Sequence, residues 1–167
     1  ATVKSGGNEF HGGTSLSYTN HTFESNNIGS QYREWGLRGK PKLHWVSDFN
    51  ANLGGRIVRD KLWFFASVRA DGNDQDVQDA FYDDGRPIVL NSRQSYHVEK
   101  LSYQMTPNNR VIGLNHFMRE FQRRDASLFV PGESRMESRL DYNIRKIERQ
   151  SVRGRSPLTS VQAGQFD

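Results

Sequence analysis

Apolar residues recur at every second position along much of this chain. From Trp45 the odd positions include Trp45, Phe49, Ala51, Leu53 and Ile57, and the even ones His44, Asp48, Asn50, Asn52 and Arg56. Beyond Arg59-Asp60-Lys61 the apolar set is Leu62, Phe64, Ala66, Val68 and Ala70, with Ser67, Arg69 and Asp71 opposite. A period of two marks a strand that buries one face only. The two runs therefore predict a hairpin around Arg59-Asp60-Lys61. Other runs predict strands over about Glu9 to Asn20, Ser95 to Thr106, Arg110 to Glu120 and Leu140 to Val152, and a seventh from near Leu158. Their clearest apolar sets are Phe10, Leu16 and Tyr18, then Leu101, Tyr103 and Met105, then Ile112, Leu114 and Met118, then Leu140, Tyr142 and Ile144.

The connections carry a second signal. Arg59-Asp60-Lys61, Thr106 to Arg110 and Gly154 to Leu158 read as tight turns, since Pro presets φ and Asn tolerates a left-handed backbone. Three long polar segments alternate with them, over about Asn20 to Lys42, Asp71 to Arg93 and Phe121 to Ser138. In an up-and-down antiparallel meander, every second connection lies at the same end. Short turns at one end and long loops at the other are the asymmetry of an outer-membrane barrel. Aromatics agree with two interfacial belts. Trp63, Phe64, Phe65 and Tyr103 lie beside short turns, and Tyr18 and Trp45 at the long-loop ends.

Composition narrows the classes. Hydrophobic residues are 34% of the 167 and aromatics 11%, and the mean hydropathy is −0.81. No stretch approaches the roughly 18 consecutive apolar residues of a membrane helix, but barrel strands alternate and show no such stretch. There are no cysteines, so disulfide and thiolate chemistry are absent. The net charge of +4 is concentrated late, in Arg139, Arg145, Lys146, Arg149, Arg153 and Arg155. A solvated polar face explains that cluster better than nucleic-acid binding, and no nucleic acid is expected as a partner. The chain begins at Ala1 without a leader and ends inside a strand-like run. It is expected to be an internal fragment of a larger protein, which leaves room for a signal peptide upstream, and to aggregate when made alone because open strand edges leave backbone groups unpaired.

Two motifs point to a family. "VKSGGNEFHGG", from Val3 to Gly13, resembles the passage from plug to barrel in TonB-dependent outer-membrane receptors. "NANLGGRIVRDKLWFFASV", from Asn50 to Val68, resembles a strand, short turn and strand of the same barrels. It is most similar to the subgroup with an N-terminal carboxypeptidase-regulatory-like domain. Arg56 stands where that pattern usually has Pro. The resemblance implies the first seven or so strands of an all-β, up-and-down barrel of roughly 22. Residues 1–8 would end the plug and residues 9–167 would form the N-terminal part of the barrel. It further implies energised uptake of a large solute (siderophore, glycan or peptide) across the outer membrane of a Gram-negative bacterium. The partners would be membrane lipid, the protein's own plug and remaining strands, and the TonB complex. Gly54 and Gly55 would let a plug segment approach the wall. His44, Asp48, Asn50, Asn52 and Arg56 would face plug and lumen. Tyr18, Trp45, Trp63, Phe64, Phe65 and Tyr103 would anchor the interfaces.

Candidate chemistry is sparse. His11, His21, His44, His97 and His116 lack metal-ligand spacing, and no G-x-S-x-G or phosphate-binding glycine loop occurs. No catalytic residue and no cofactor is expected, and the protein is not read as an enzyme. Asp71, Asp74 and Asp76 are candidate hard-oxygen ligands for calcium, but Asp76 and Tyr82 break the EF-hand pattern and a solvated loop is the favoured account. Trp45, Arg69 and Asp71, at the bases of long loops, are the candidates for substrate contact. Phe129-Val130-Pro131-Gly132 would either touch ligand or pack on a neighbouring loop. The other reading of the pattern is a soluble all-β binding or adhesion domain, carbohydrate-binding among its options, with Phe49, Leu53, Phe64 and Val68 buried against a second sheet.

Overall fold

The alternating runs form a single antiparallel sheet in a computed structural model that describes residues 3–25, 29–36, 40–124, 127, 129–152 and 159–167. Its strands are β1 (His11–Thr19), β2 (Leu43–Val58), β3 (Leu62–Phe81), β4 (Pro87–Thr106), β5 (Asn109–Arg124), β6 (Met136–Ser151) and β7 (Thr159–Phe166). They lie in the sheet in chain order, each paired with its sequence neighbours. This is the expected seven-stranded meander. The expected turn at Gly154 to Leu158 falls outside the described residues, as do Arg153 and Arg155.

Register assigns the faces. Ala51 opposes Val68, Leu53 opposes Ala66, and Gly55 opposes Phe64. These residues share one side, called here the Phe64 face. Asp48 opposes Asp71, Asn50 opposes Arg69, and Arg56 opposes Trp63, on the Trp63 face. Almost nothing is shut from solvent on either side. Among the described residues the buried hydrophobics are Trp63, Ala80, Ile88 and Met118. The soluble sandwich would need a second sheet over the Phe64 face. Among the described residues there is one sheet only, and Phe49, Leu53 and Leu16 lie exposed on that side.

The strands are longer than their apolar pattern. The polar segment expected as a loop over Asp71 to Arg93 is mostly ladder. β3 runs on to Phe81 and β4 starts at Pro87, each 20 residues long, with a short turn between. β5 and β6 likewise reach Arg124 and Met136. Long and short connections therefore do not alternate strictly, because length at the far end is taken up by strand. Cross-strand charge pairs carry the ladder where apolar residues stop. Arg119 meets Asp141 at 3.0 Å and Arg123 meets Glu137 at 3.0 Å, each with its directly opposed residue. Such pairs stabilise a ladder modestly but leave no hydrophobic trace in a sequence.

The apolar sets also divide between faces. Leu101 and Tyr103 continue the Phe64 face, opposite Phe64 and Leu62. Ile112, Leu114 and Met118 share the Trp63 face with Ser102, Lys100 and Tyr96. Tyr142 and Ile144 join them there, opposite Met118 and His116.

Candidate functional site

Residues 3–8 cross the Trp63 face near the Arg59-Asp60-Lys61 turn, and Asn8 ties them to it. Its amide Oδ1 accepts from the Asp60 backbone N–H at 3.0 Å and from the Trp63 indole Nε1 at 2.9 Å. Its Nδ2 donates to Asp60 Oδ1, and its carbonyl accepts from Arg56 Nη1 at 2.7 Å. The turn needs this support because Asp60 holds φ at +57°, a conformation that Asp tolerates better than most side chains. Lys61 closes the turn by donating to the Val58 carbonyl at 3.1 Å. Further along, Lys100 Nζ donates to Ser5 Oγ at 2.7 Å and to the Val3 carbonyl at 3.1 Å.

Glycines admit this segment. A Cβ on Gly6 would collide with the Phe64 carbonyl and stand 2.8 Å from that of Gly55. A Cβ on Gly54 would come within 3.5 Å of Gly6 Cα. Gly55 points the other way, and a side chain there would strike the Phe10 ring. That ring lies 6.3 Å from Phe64 on the opposite side of the sheet. The chain thus grips both faces of the hairpin, through Gly6 on one and Phe10 on the other. Asn8, which makes most of the contacts, is a residue that sequence reasoning missed.

The six aromatics expected as anchors fall on two sides. Tyr18, Trp45, Phe64 and Tyr103 belong to the Phe64 face by register. Trp63 and Phe65 do not, since alternation turns them toward Asn8 and Lys100. Arg110 stacks over Trp63 at 5.2 Å. Alternation therefore splits the run Trp63-Phe64-Phe65, with Phe64 on the apolar side of the hairpin and its two neighbours on the side of the N-terminal segment. Asp48, Asn50, Asn52 and Arg56 share the Trp63 face, as expected of a common set. His44 departs from it. It lies in the bulge between Leu43 and Trp45, and its Nε2 is 2.7 Å from Asp76 Oδ1. A bulge adds a residue to one strand and breaks its alternation.

The candidate metal ligands do not converge. Asp71 lies on the Trp63 face, 3.6 Å from Arg69, and Asp74 on the Phe64 face. Asp76 is committed to His44. Arg69 also grips Asp48 through two bonds of 3.1 and 2.8 Å. Asp74 is the acceptor of a compact cluster. Arg93 reaches both its oxygens, at 2.8 and 3.0 Å, and Asn91 and Trp45 add bonds of 2.7 and 3.1 Å. Burial opposes ionisation of Asp74, yet the Arg93, Asn91 and Trp45 donors outweigh it and hold the carboxyl below its usual range. Arg93 stacks on the Trp45 ring at 4.2 Å, over Gly72, where a Cβ would stand 3.1 Å from Trp45 Cη2. Trp45 is therefore separated from Arg69 and Asp71 by the sheet, and the three substrate-contact candidates do not form one site.

At the far end, the segment around Gly132 packs on the tip of the β3–β4 hairpin. A Cβ on Gly132 would meet the Tyr82 ring and come within 3.0 Å of Ile88 Cδ1. Arg135 Nη1 donates to the Val89 carbonyl at 2.8 Å. Loop packing is thus the role of Gly132, while Phe129 is 89% exposed. Among the described residues the late basic side chains do not share one face. By register Arg139, Arg145 and Arg149 lie on the Phe64 face and Lys146 on the other, and Arg139 and Lys146 are paired with Glu137 and Glu148.

A meander whose β2–β3 hairpin leaves an apolar face uncovered, with a segment of its own chain docked on the other, has the architecture of an outer-membrane β-barrel wall. The chain belongs to the outer membrane. Residues 2–79 match the family model described as an outer membrane beta barrel domain. The chain is similar to the TonB-dependent transporter Oar of Myxococcus xanthus, at 34% identity over 137 residues. That match covers 66% of this chain and 13% of the transporter's length. No solved structure matches the chain.

Proposed function

We propose that the chain is the plug-to-barrel junction and first wall of a TonB-dependent importer that takes up a large solute such as a siderophore, glycan or peptide. The observation that carries this is the placement of residues 3–8. They bind the Trp63 face through Asn8, Ser5 and Val3, while the opposite face of the same hairpin is apolar and uncovered. On this reading the Trp63 face looks into the lumen and the Phe64 face into lipid. Residues 1–8 are the end of the plug, and 9–167 are part of a barrel of roughly 22 strands. The motif from Asn50 to Val68 supports the subgroup with an N-terminal carboxypeptidase-regulatory-like domain.

Depth follows from the strands. A barrel strand crosses the bilayer in about 9–11 tilted residues. Counted from the Arg59-Asp60-Lys61 turn, β3 leaves the apolar band near Asp71. Asp74, Arg93 and the Gly132 contact then stand outside the cell. Trp45 caps the outer edge of the band and Tyr103 the inner one. Asp48, Arg69 and Asp71 line the lumen at the outer mouth, where a solute would first meet the wall. TonB would act on the plug, and Asn8 is the last fixed point between plug and wall. No covalent step is involved.

Two measurements on the full-length protein test this. In intact outer membranes, Ser67→Cys is expected to react with a water-soluble maleimide and Val68→Cys to stay protected. Cells expressing the protein are expected to deplete one class of large solute from the medium only while TonB is functional. Depletion that persists without TonB would sink the importer reading.

A further inference from the structure

We infer that the full-length protein pairs with a second copy of itself through the Phe64 face of β5 and β6. The inference rests on the proposed orientation, with that face toward lipid. Two neighbouring rows of the register carry it. One reads Phe64, Leu101, Gly113, Ile147, Ala163 from β3 to β7, and the other Ala66, Glu99, Asn115, Arg145, Gln165. On β2 and β3 the lipid side of the membrane band is apolar. From β4 onward the second row turns polar, within a strip where charge on the lipid side is costly, most of all near the midplane.

The rows have the features of a self-complementary surface. Gly113 leaves a trough, because nothing stands within 4 Å of where its Cβ would be. Beside it Ile147 projects and is 64% exposed. In the polar row Asn115 Nδ2 donates to Glu99 Oε2 at 2.7 Å, which fixes the carboxylate. Among the described residues the Arg145 guanidinium has no hydrogen-bond or ion-pair partner. A two-fold axis along the membrane normal, between β5 and β6, exchanges the two strands. Ile147 of the second copy then enters the Gly113 trough, and Arg145 of the second copy reaches the Asn115–Glu99 pair. The same contacts recur reversed, as closed two-fold pairing requires. In this arrangement charge and shape are matched together. Lipid tails would fill the trough but leave Arg145 unpaired.

Disulfide cross-linking in outer membranes tests the pairing. The chain has no cysteine of its own. Two differently tagged full-length copies, one Gly113→Cys and one Ile147→Cys, with any cysteines elsewhere replaced, are co-expressed. A mixed-tag cross-linked dimer is expected, and none from the Phe49→Cys with Val68→Cys combination. Arg145→Glu in both copies is expected to lower cross-linking on the order of tenfold, and adding Glu99→Arg to restore it, as for a lost and regained charge pair. No mixed dimer, while Ser67→Cys and Val68→Cys keep their expected reactivities, would overturn the pairing and leave the importer reading intact. Cross-linking through Leu114→Cys with Lys146→Cys instead would overturn the orientation, and both readings with it. Cross-linking that charge reversal does not change would overturn the pairing geometry.

Discussion

Trp63 donates its indole N–H to the Oδ1 of Asn8, 2.9 Å away and 55 positions earlier in the chain. The same oxygen takes the Asp60 amide. One side-chain atom therefore joins an N-terminal segment, a turn and a strand.

Replacing Asn8 with Ala removes the bonds to Asp60 and Trp63 together. Each typical bond contributes about 0.5–1.5 kcal/mol, and more where a donor is left buried without a partner. The junction is expected to lose about 2 kcal/mol. A protease cutting between Ser5 and Phe10 should attack the variant faster, with strand pairing retained. Unchanged cutting would mean that Asn8 does not hold the segment.

Gly55→Leu is expected to expel Phe10 from its place against Phe64, whereas Gly54→Leu pushes on Gly6 from the other face. The two neighbours should thus fail differently. Fluorescence of Trp63, on the Gly6 side, should change in the Gly54 variant and stay near wild type in the Gly55 variant. Equal changes would contradict the two-sided grip.

On the proposed orientation, Phe64→Arg places a cation on the lipid side, where the cost is about 2–4 kcal/mol near the midplane and falls to about 0–1 near an interface. Since Phe64 is close to a turn, a moderate loss is expected, and Val68→Arg should cost more. Ser67→Arg, between them on the lumen side, should assemble nearly as well as wild type. Heat-modifiable mobility of the folded barrel on gels reads all three. A Ser67 variant as damaged as that of Val68 would reverse the faces.

Asp74 gives a pH dependence. Its folded pKa is depressed, so its contribution is complete above the ordinary value of 3.8 and fades as pH falls through the lowered one. Cleavage of the 82–86 tip by an acid protease should rise below about pH 3.8. Asp74→Asn should be cleaved more readily than wild type at pH 5 and respond less to acid. A flat profile in the wild type would remove the carboxylate from the account of hairpin rigidity.

Legibility in the sequence tracked the physics of each part. The hairpin from Trp45 to Ala70 was readable because its apolar and polar sides alternate with a period of two. The strands beyond Asp71 were not, because charge pairs such as Arg93 with Asp74 build ladder without apolar residues. Trp63 and Phe65 were misplaced by treating an aromatic run as one belt, although alternation alone separates them from Phe64. Asn8 gave no periodic signal. Its importance arises from a fold that brings it to Asp60 and Trp63. Gly54 and Gly55 were readable as places of close approach, but not which partner each would meet.

Under the proposed function, the overshoot of β3 and β4 has a consequence for recognition. A mouth built from loose chain must be ordered by each solute it captures, and that lost freedom weakens binding. Here residues 71–76 and 89–94 are paired in a hydrogen-bonded ladder, with Phe81 opposite Pro87 nearer the tip. Their side chains alternate between two directions at fixed spacing. Preference for a new solute could then arise by exchanging single residues on this rigid frame, without remaking its backbone.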